Sequence, residues 1–181
     1  MRRYLSRAIY KTIGWRHNMT VDIPDKCVIC VAPHTSNWDF VLGKLFYSSI
    51  GKTASFLMKD SWFFFPVGLL LKSIGGVPVN RKQTEGLREQ LAEEFKRRER
   101  FQLAITPEGT RKLNPVWKKG FYHIASMAEV PIVLIYMDYG KKEIGTIGVF
   151  HPTGNEDMDI RQIKLQFKDI KARYPEKFSI G

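Results

Sequence analysis

At 181 residues, with 44% hydrophobic and 26% charged side chains, the chain has the size and composition of one globular domain with a substantial core. A formal net charge of +11 points to an anionic partner: a phosphate-bearing substrate, an acidic lipid surface, an acidic carrier protein or a nucleic acid. A membrane-spanning helix is not expected, because the longest uncharged apolar run, Trp62–Leu71, contains Pro66 and Gly68 and is about half the roughly 20 residues that a span needs.

Residues 1–17 predict a short basic amphipathic helix. Arg2, Arg3, Arg7, Lys11 and Arg16 are accompanied by no acid, and Leu5, Ala8, Ile9 and Ile13 recur at helical spacing. The segment lacks the apolar block of a signal peptide. Two readings stand: a helix lying on an anionic membrane surface, or one packed on the domain with its basic face in water. Residues 18–181 read as the main domain.

Cys27–Ala32 predicts a strand, with His34 in the turn after it and Thr35 or Ser36 capping a helix to about Ile50. Cys27 and Cys30 alternate to opposite faces of such a strand, and no second pair exists to complete a metal site, so they read as buried thiols. Ala54–Met58 predicts a strand, Trp62–Leu71 a broken helix ending near Gly75-Gly76, and Val77–Asn80 a short strand. A charged helix over Thr84–Arg100 precedes a strand at Phe101–Ile105 and the Glu108 loop. A helix at Lys118–Ala128, strands at Ile132–Met137 and Glu143–Phe150, and a closing helix at Asp159–Tyr174 complete the chain. This alternation predicts a single α/β domain with a mostly parallel or mixed sheet flanked by helices. Ligands gather at the carboxyl ends of the strands of such sheets.

Two polar clusters fall at those ends. In Ala32-Pro33-His34-Thr35-Ser36-Asn37-Trp38-Asp39, the Asp39 carboxylate can reach one imidazole nitrogen of His34, fix its tautomer and leave the other nitrogen to take a proton. Gly-x-Ser-x-Gly is absent, so Ser36 is not read as a nucleophile. In Thr106-Pro107-Glu108-Gly109-Thr110-Arg111, Gly109 permits a tight turn that exposes backbone N–H groups, and Thr110 adds a hydroxyl donor. Arg111 adds a planar fork suited to phosphate, with Glu108 orienting either Arg111 or the acceptor. Arg81, after Gly75-Gly76-Val77-Pro78-Val79-Asn80, offers a second fork. Together these residues describe an enzyme that activates a hydroxyl on an anionic substrate. The other histidines, His17, His123 and His151, have no partner at a telling spacing and read as structural or surface residues.

In these clusters the chain resembles the glycerolipid acyltransferases typified by the bacterial 1-acylglycerol-3-phosphate acyltransferases. The family's Asn-His-x4-Asp is similar to Pro33-His34 through Asp39, its Gly-x-Ile-x-Ile-x-Arg to Gly75–Arg81, its Phe-Pro-Glu-Gly-Thr-Arg to Thr106–Arg111, and its apolar Val-Pro-Ile-Val to Val130–Val133. Lys59, Pro66 and Gly68 fit the stretch between the first two motifs. Pro33 stands where the family has Asn, and Thr106 where it has Phe.

The resemblance implies that residues 18–181 are an acyltransferase domain. It implies transfer from a thioester, acyl-CoA or acyl carrier protein, to a lysophospholipid-type hydroxyl, with no cofactor and no metal. His34 would be the general base, Asp39 its orienter, and Arg81, Glu108, Gly109, Thr110 and Arg111 the acceptor-phosphate site. The expected setting is peripheral, on the cytoplasmic face of an anionic membrane. An aminoacyl lipid as acceptor, and a non-catalytic basic lipid-binding module, are the alternatives. A thioesterase, with water as acceptor, is a third. The basic residues are dispersed and no nucleic-acid motif is present, so no nucleic-acid partner is expected. Trp62–Phe65 with Leu69–Leu71 would line an acyl-chain groove or belong to ordinary core.

Overall fold

An apolar strand without polar alternation needs cover on both faces, and Lys26–Ala32 receives it. The computed structural model describes residues 2–79 and 86–181. The strands are β1 (Arg16–Met19), β2 (Lys26–Ala32), β3 (Ser55–Lys59), β4 (Gly76–Val79), β5 (Phe101–Ile105), β6 (Ile132–Asp138) and β7 (Glu143–Phe150). The helices are α1 (Arg2–Thr12), α2 (Asn37–Ser49), α3 (Val67–Ser73), α4 (Leu87–Arg97), α5 (Gly120–Met127) and α6 (Glu156–Leu165), with short 3-10 turns at Asp60–Trp62 and Pro175–Lys177. The strands form one sheet in the order β1-β7-β6-β2-β5-β3-β4. Every neighbouring pair is parallel except β6–β7, so the sheet is mixed, and β2 sits at its centre between β5 and β6.

The pleat of β2 divides the core. Cys27 and Ile29 face one side, packed with Tyr10 of α1, Leu42, Phe46 and Tyr47 of α2, and Val133 and Ile135 of β6. Val28, Cys30 and Ala32 face the other, against Leu91 and Phe95 of α4, Phe121 and Ile124 of α5, and Ile160 and Ile163 of α6. The two cysteines therefore lie on opposite faces, both buried. Burial pushes the Cys27 thiol up to about 12 and raises that of Cys30 as well, so both stay protonated near neutral pH.

Boundaries differ from the sequence expectation where tertiary contacts intervene. The N-terminal helix stops at Thr12, not at residue 17, because Gly14 takes a left-handed conformation (φ 73°) and the chain turns. That releases Arg16–Met19 to pair with Glu143–Thr146 as β1, a strand with no local β signal. The broken helix expected at Trp62–Leu71 is instead a 3-10 turn at Asp60–Trp62 followed by α3. The closing helix begins earlier, capped by Asn155, and ends at Leu165, after which the chain runs irregularly to Tyr174. The charged helix expected at Thr84–Arg100 is described from Leu87 to Arg97.

One glycine decides whether β1 can dock. A Cβ on Gly145 would stand 2.0 Å from the Asn18 carbonyl oxygen, a backbone atom of the paired strand that cannot swing aside. Gly148, further along the same strand, has open space in that direction. Gly145→Ala should cost about 1–3 kcal/mol and lower the calorimetric melting temperature by several degrees, while Gly148→Ala should leave it nearly unchanged. Equal melting temperatures for the two variants would show that β1 is dispensable to the fold.

Candidate active site

Three adjacent strands, β5, β2 and β6, run parallel and end together, and each delivers a polar residue just past its carboxyl end. His34 follows β2 by two residues, Glu108 follows β5 by three and Tyr139 follows β6 by one. Pro33 and Thr35 flank His34 at the corner before α2.

The corner is fixed by a helix cap. Ser36 is the N-cap of α2, and its hydroxyl accepts the Trp38 N–H at 3.2 Å. Asp39, at the third helical position, reaches back so that Oδ2 accepts the backbone N–H of both Thr35 and Ser36 at 2.8 Å. This reciprocal capping box satisfies donors that a helix start otherwise leaves unpaired. The same oxygen lies 3.3 Å from His34 Nδ1. The contact is longer than a tight hydrogen bond, and two backbone donors share that oxygen. The other carboxylate oxygen, Oδ1, accepts the Tyr139 hydroxyl at 2.6 Å.

Asp39 is therefore ionised in a buried place, its side chain 1% exposed. Burial opposes the charge, but the bonds from His34, Tyr139 and the Ser36 N–H outweigh it and hold the carboxyl below its ordinary range. The His34 ring is 16% exposed, so it is seated yet reachable. With Nδ1 turned to Asp39, Nε2 is the nitrogen presented to a substrate.

Glu108 makes a contact that the sequence did not suggest. It is buried, and Oε1 accepts the His34 backbone N–H at 2.7 Å, which ties the β5 loop to the His34 corner. Oε2 is buried with no partner among the described residues. Burial is the main cause that pushes its carboxyl up to about 7; the nearby Asp39 charge adds to this and the His34 N–H opposes it. The loop turns at Gly109, whose φ of 66° disfavours any side chain, and a Cβ there would also meet Lys118 Cδ at 2.7 Å. Asn114 Nδ2 donates to the Glu108 carbonyl at 2.8 Å and staples the loop. Thr110 is half-buried and its hydroxyl accepts the Lys112 N–H, which leaves its proton to donate. Arg111 is exposed, in a loop that also carries the exposed Lys112, Lys118 and Lys119. Arg81 lies outside the described residues.

Two features of the site were not read from the sequence. Ser36-x-x-Asp39 is itself a capping-box pattern that would have fixed the corner's geometry. Tyr139 carries no motif, and only the sheet brings it to Asp39. The remaining histidines sit elsewhere. His17 packs its ring against Tyr10 and Phe46, His123 pairs with Glu156, and His151 is exposed.

An apolar rim surrounds this edge. Trp38 and Val41 of α2, Trp62, Phe64 and Phe65 after β3, and Leu113 and Val116 in the Glu108 loop are all exposed, Phe65 at 82%. The aromatic stretch after β3 is thus surface, not core.

A profile of the Acyltransferase family matches residues 16–138, and the chain belongs to that family. It is an acyltransferase. The fold is similar to the crystal structure of a 1-acyl-sn-glycerophosphate (LPA) acyltransferase, PlsC, from Thermotoga maritima, at a TM-score of 0.63 and 18% identity, over 95% of this chain and 79% of that one. No curated protein sequence matches the chain.

Glu108 makes the stability of the fold depend on pH. Its carboxyl titrates near 4.5 when unfolded and at about 7 when folded, so the folded state binds the proton more tightly. Its stabilising contribution is complete below about pH 4.5 and is lost as pH rises through about 7. Glu108→Gln, which cannot ionise, should flatten that part of the stability curve, with a change on the order of 3 kcal/mol at most. Denaturant unfolding across this pH range is the measurement; the same slope in the variant and the wild type would assign the titration to another group.

Proposed function

We propose that the protein moves a fatty acyl group from a thioester donor, acyl-CoA or acyl carrier protein, to the hydroxyl of 1-acylglycerol-3-phosphate. The observation that carries this reading is the His34–Asp39 pair, held by the capping box at the carboxyl edge of the sheet beside a basic loop. His34 Nε2 takes the proton of the acceptor hydroxyl as its oxygen attacks the thioester carbonyl. The tetrahedral intermediate then collapses, the C–S bond breaks, and the thiolate leaves with the proton that the imidazolium returns. No acyl-enzyme is needed. A positioned base contributes about 10²–10⁴-fold to such a step. The acceptor phosphate is bound by the Arg111 fork and the neighbouring loop, with Arg81 sharing the load. The likeness of the fold to a 1-acyl-sn-glycerophosphate acyltransferase from Thermotoga maritima supports the acceptor chosen.

The protein works as a peripheral protein on an anionic surface, which the cytoplasmic leaflet provides. No helix among the described residues is long and apolar enough to cross a membrane. The helix α1 is packed by one face only. Tyr10 is buried and its hydroxyl donates to the Leu42 carbonyl at 2.7 Å, and Ser6 bonds Ser48 at 2.8 Å. Tyr4, Leu5 and Ile13 remain exposed beside Arg3, Arg7 and Lys11. These side chains and the apolar rim give the surface that enters the headgroup layer.

An acceptor panel with one labelled acyl thioester, read by lipid mass spectrometry, tests the assignment. Transfer should go to 1-acylglycerol-3-phosphate, and His34→Ala should lower turnover at least about a hundredfold. Arg111→Lys should raise the acceptor KM about ten- to a hundredfold and leave the donor KM nearly unchanged, since Lys cannot reproduce the two-pronged contact. Equal changes in both constants, or transfer to an aminoacyl lipid instead, would remove the phosphate site. Full-rate thiol release without acceptor would make the enzyme a thioesterase.

Membrane binding has its own test. Deleting α1 would uncover Phe46 and Tyr47, so point substitutions are cleaner. Leu5→Ser with Phe65→Ser should weaken binding to anionic vesicles in flotation assays, with turnover of a soluble short-chain acceptor little changed. Arg3→Ala with Lys11→Ala should do the same at low salt, at about 1 kcal/mol per charge, and the difference should shrink in high salt. Unchanged flotation in both variants would place the bilayer contact elsewhere.

A further inference from the structure

Tyr139 is the unexplained part of the site. It stands one residue past β6, outside both polar clusters, yet its hydroxyl reaches Asp39 Oδ1 at 2.6 Å. The other oxygen of that carboxylate already meets the N–H groups of Thr35 and Ser36 and the His34 ring. On Oδ1 the phenol is the one donor among the described residues. Rotation of an aspartate about its terminal torsion is soft, because that torsion has no sharp staggered wells. Donors on one oxygen alone would leave the carboxylate to pivot about that oxygen. A donor on the far side fixes the plane, and with it the direction in which Oδ2 faces His34 Nδ1.

The phenol is in turn firmly held. The Tyr139 backbone N–H donates to the Lys171 carbonyl at 2.8 Å. The Trp15 ring meets its ring edge-on, with centroids 5.0 Å apart at 87°. The Arg173 guanidinium lies 5.9 Å from the ring centroid. Burial first, and then the bond to Asp39, raise the phenol's ionisation well above its ordinary range, so it keeps the proton it donates. Such an anchored donor is the usual way in which a reacting group's partner is oriented from behind.

We propose that Tyr139 is a positioning residue of the acyl-transfer site, whose hydroxyl locks the Asp39 carboxylate in the plane that aligns the His34 imidazole. The proposal rests on the reading of His34 as the base. It extends the pair to a Tyr139–Asp39–His34 chain assembled from two adjacent strand ends.

Tyr139→Phe keeps the ring and removes only the donor. It should lower kcat roughly tenfold, the worth of one hydrogen bond to a charged group, and leave the KM of donor and acceptor within about twofold. In an Asp39→Asn background the same change should cost less than about twofold, because the bond it removes serves the carboxylate. A loss of equal size in both backgrounds, or a loss confined to KM, would overturn the proposal. Incorporation of 2,3-difluorotyrosine at position 139 keeps the shape and strengthens the donor, and serves if Tyr139→Phe does not fold. By drawing charge from Asp39 it should move the acid limb of the kcat/KM profile to lower pH, while Tyr139→Phe should move it higher. The charged and titratable groups facing the chain are Glu108 from the β5 loop, Arg173 from the C-terminal segment, which also bonds the phenol, and Tyr10 from α1, and both changes leave these three residues in place. An acid limb that does not move with fluorination would also overturn the role. If His34→Ala keeps wild-type turnover, the base assignment fails whatever Tyr139 does. If His34→Ala is inactive and Tyr139→Phe turns over within about twofold of wild type, only the positioning role fails.

Discussion

One buried carboxylate organises the corner between β2 and α2. Asp39 accepts three hydrogen bonds and faces the His34 imidazole, and each of these partners comes from a place the fold needs to define: the turn before α2, the imidazole and the end of β6. A charge buried without such partners would be strongly destabilising, so the corner is rigid because the carboxylate requires it to be. The helix cap and the His34–Asp39 pair are consequently one device. The x4 between His34 and Asp39 is the distance from a residue two before the N-cap to the third helical position, where a side chain folds back on the turn.

The second constraint comes from the β5 loop. Glu108 bonds the backbone of His34 and leaves one oxygen without a protein partner in a buried place. Its function in the fold is to couple two strand ends, so the basic loop bearing Thr110 and Arg111 is held in register with His34. The raised ionisation of Glu108 follows from that burial, and it sits close to neutral pH. A carboxyl in this state can hold a proton or a charge near neutral pH without large cost, which is compatible with the anionic acceptor proposed above.

The rim and α1 show the opposite logic. Large aromatic and aliphatic side chains are normally hidden, yet here they crowd the loops that leave the carboxyl ends of β2, β3 and β5. An exposed patch of this extent on a basic protein reads as a contact surface. Its position lies on the same edge of the sheet as the His34–Asp39 pair, which is what the proposed lipid acceptor requires.

Much of this was written in the sequence. Apolar runs alternating with helical periodicity determined an α/β domain, and the polar clusters determined which strand ends carry chemistry, because strand ends are where a parallel sheet leaves its loops in water. His34, Asp39 and the Glu108–Arg111 loop were identifiable because their spacing encodes local geometry. What is not local was decided only by the tertiary structure. The strand at Arg16–Met19 has no β pattern and exists because β7 offers it an edge and Gly145 lets it approach. The exposure of Trp62, Phe64 and Phe65 could not be read from composition, since the same residues would serve equally well in a core. The bond from Tyr139 to Asp39 joins residues a hundred positions apart. It arises because β6 lies beside β2 in the sheet, a juxtaposition that no spacing along the chain records.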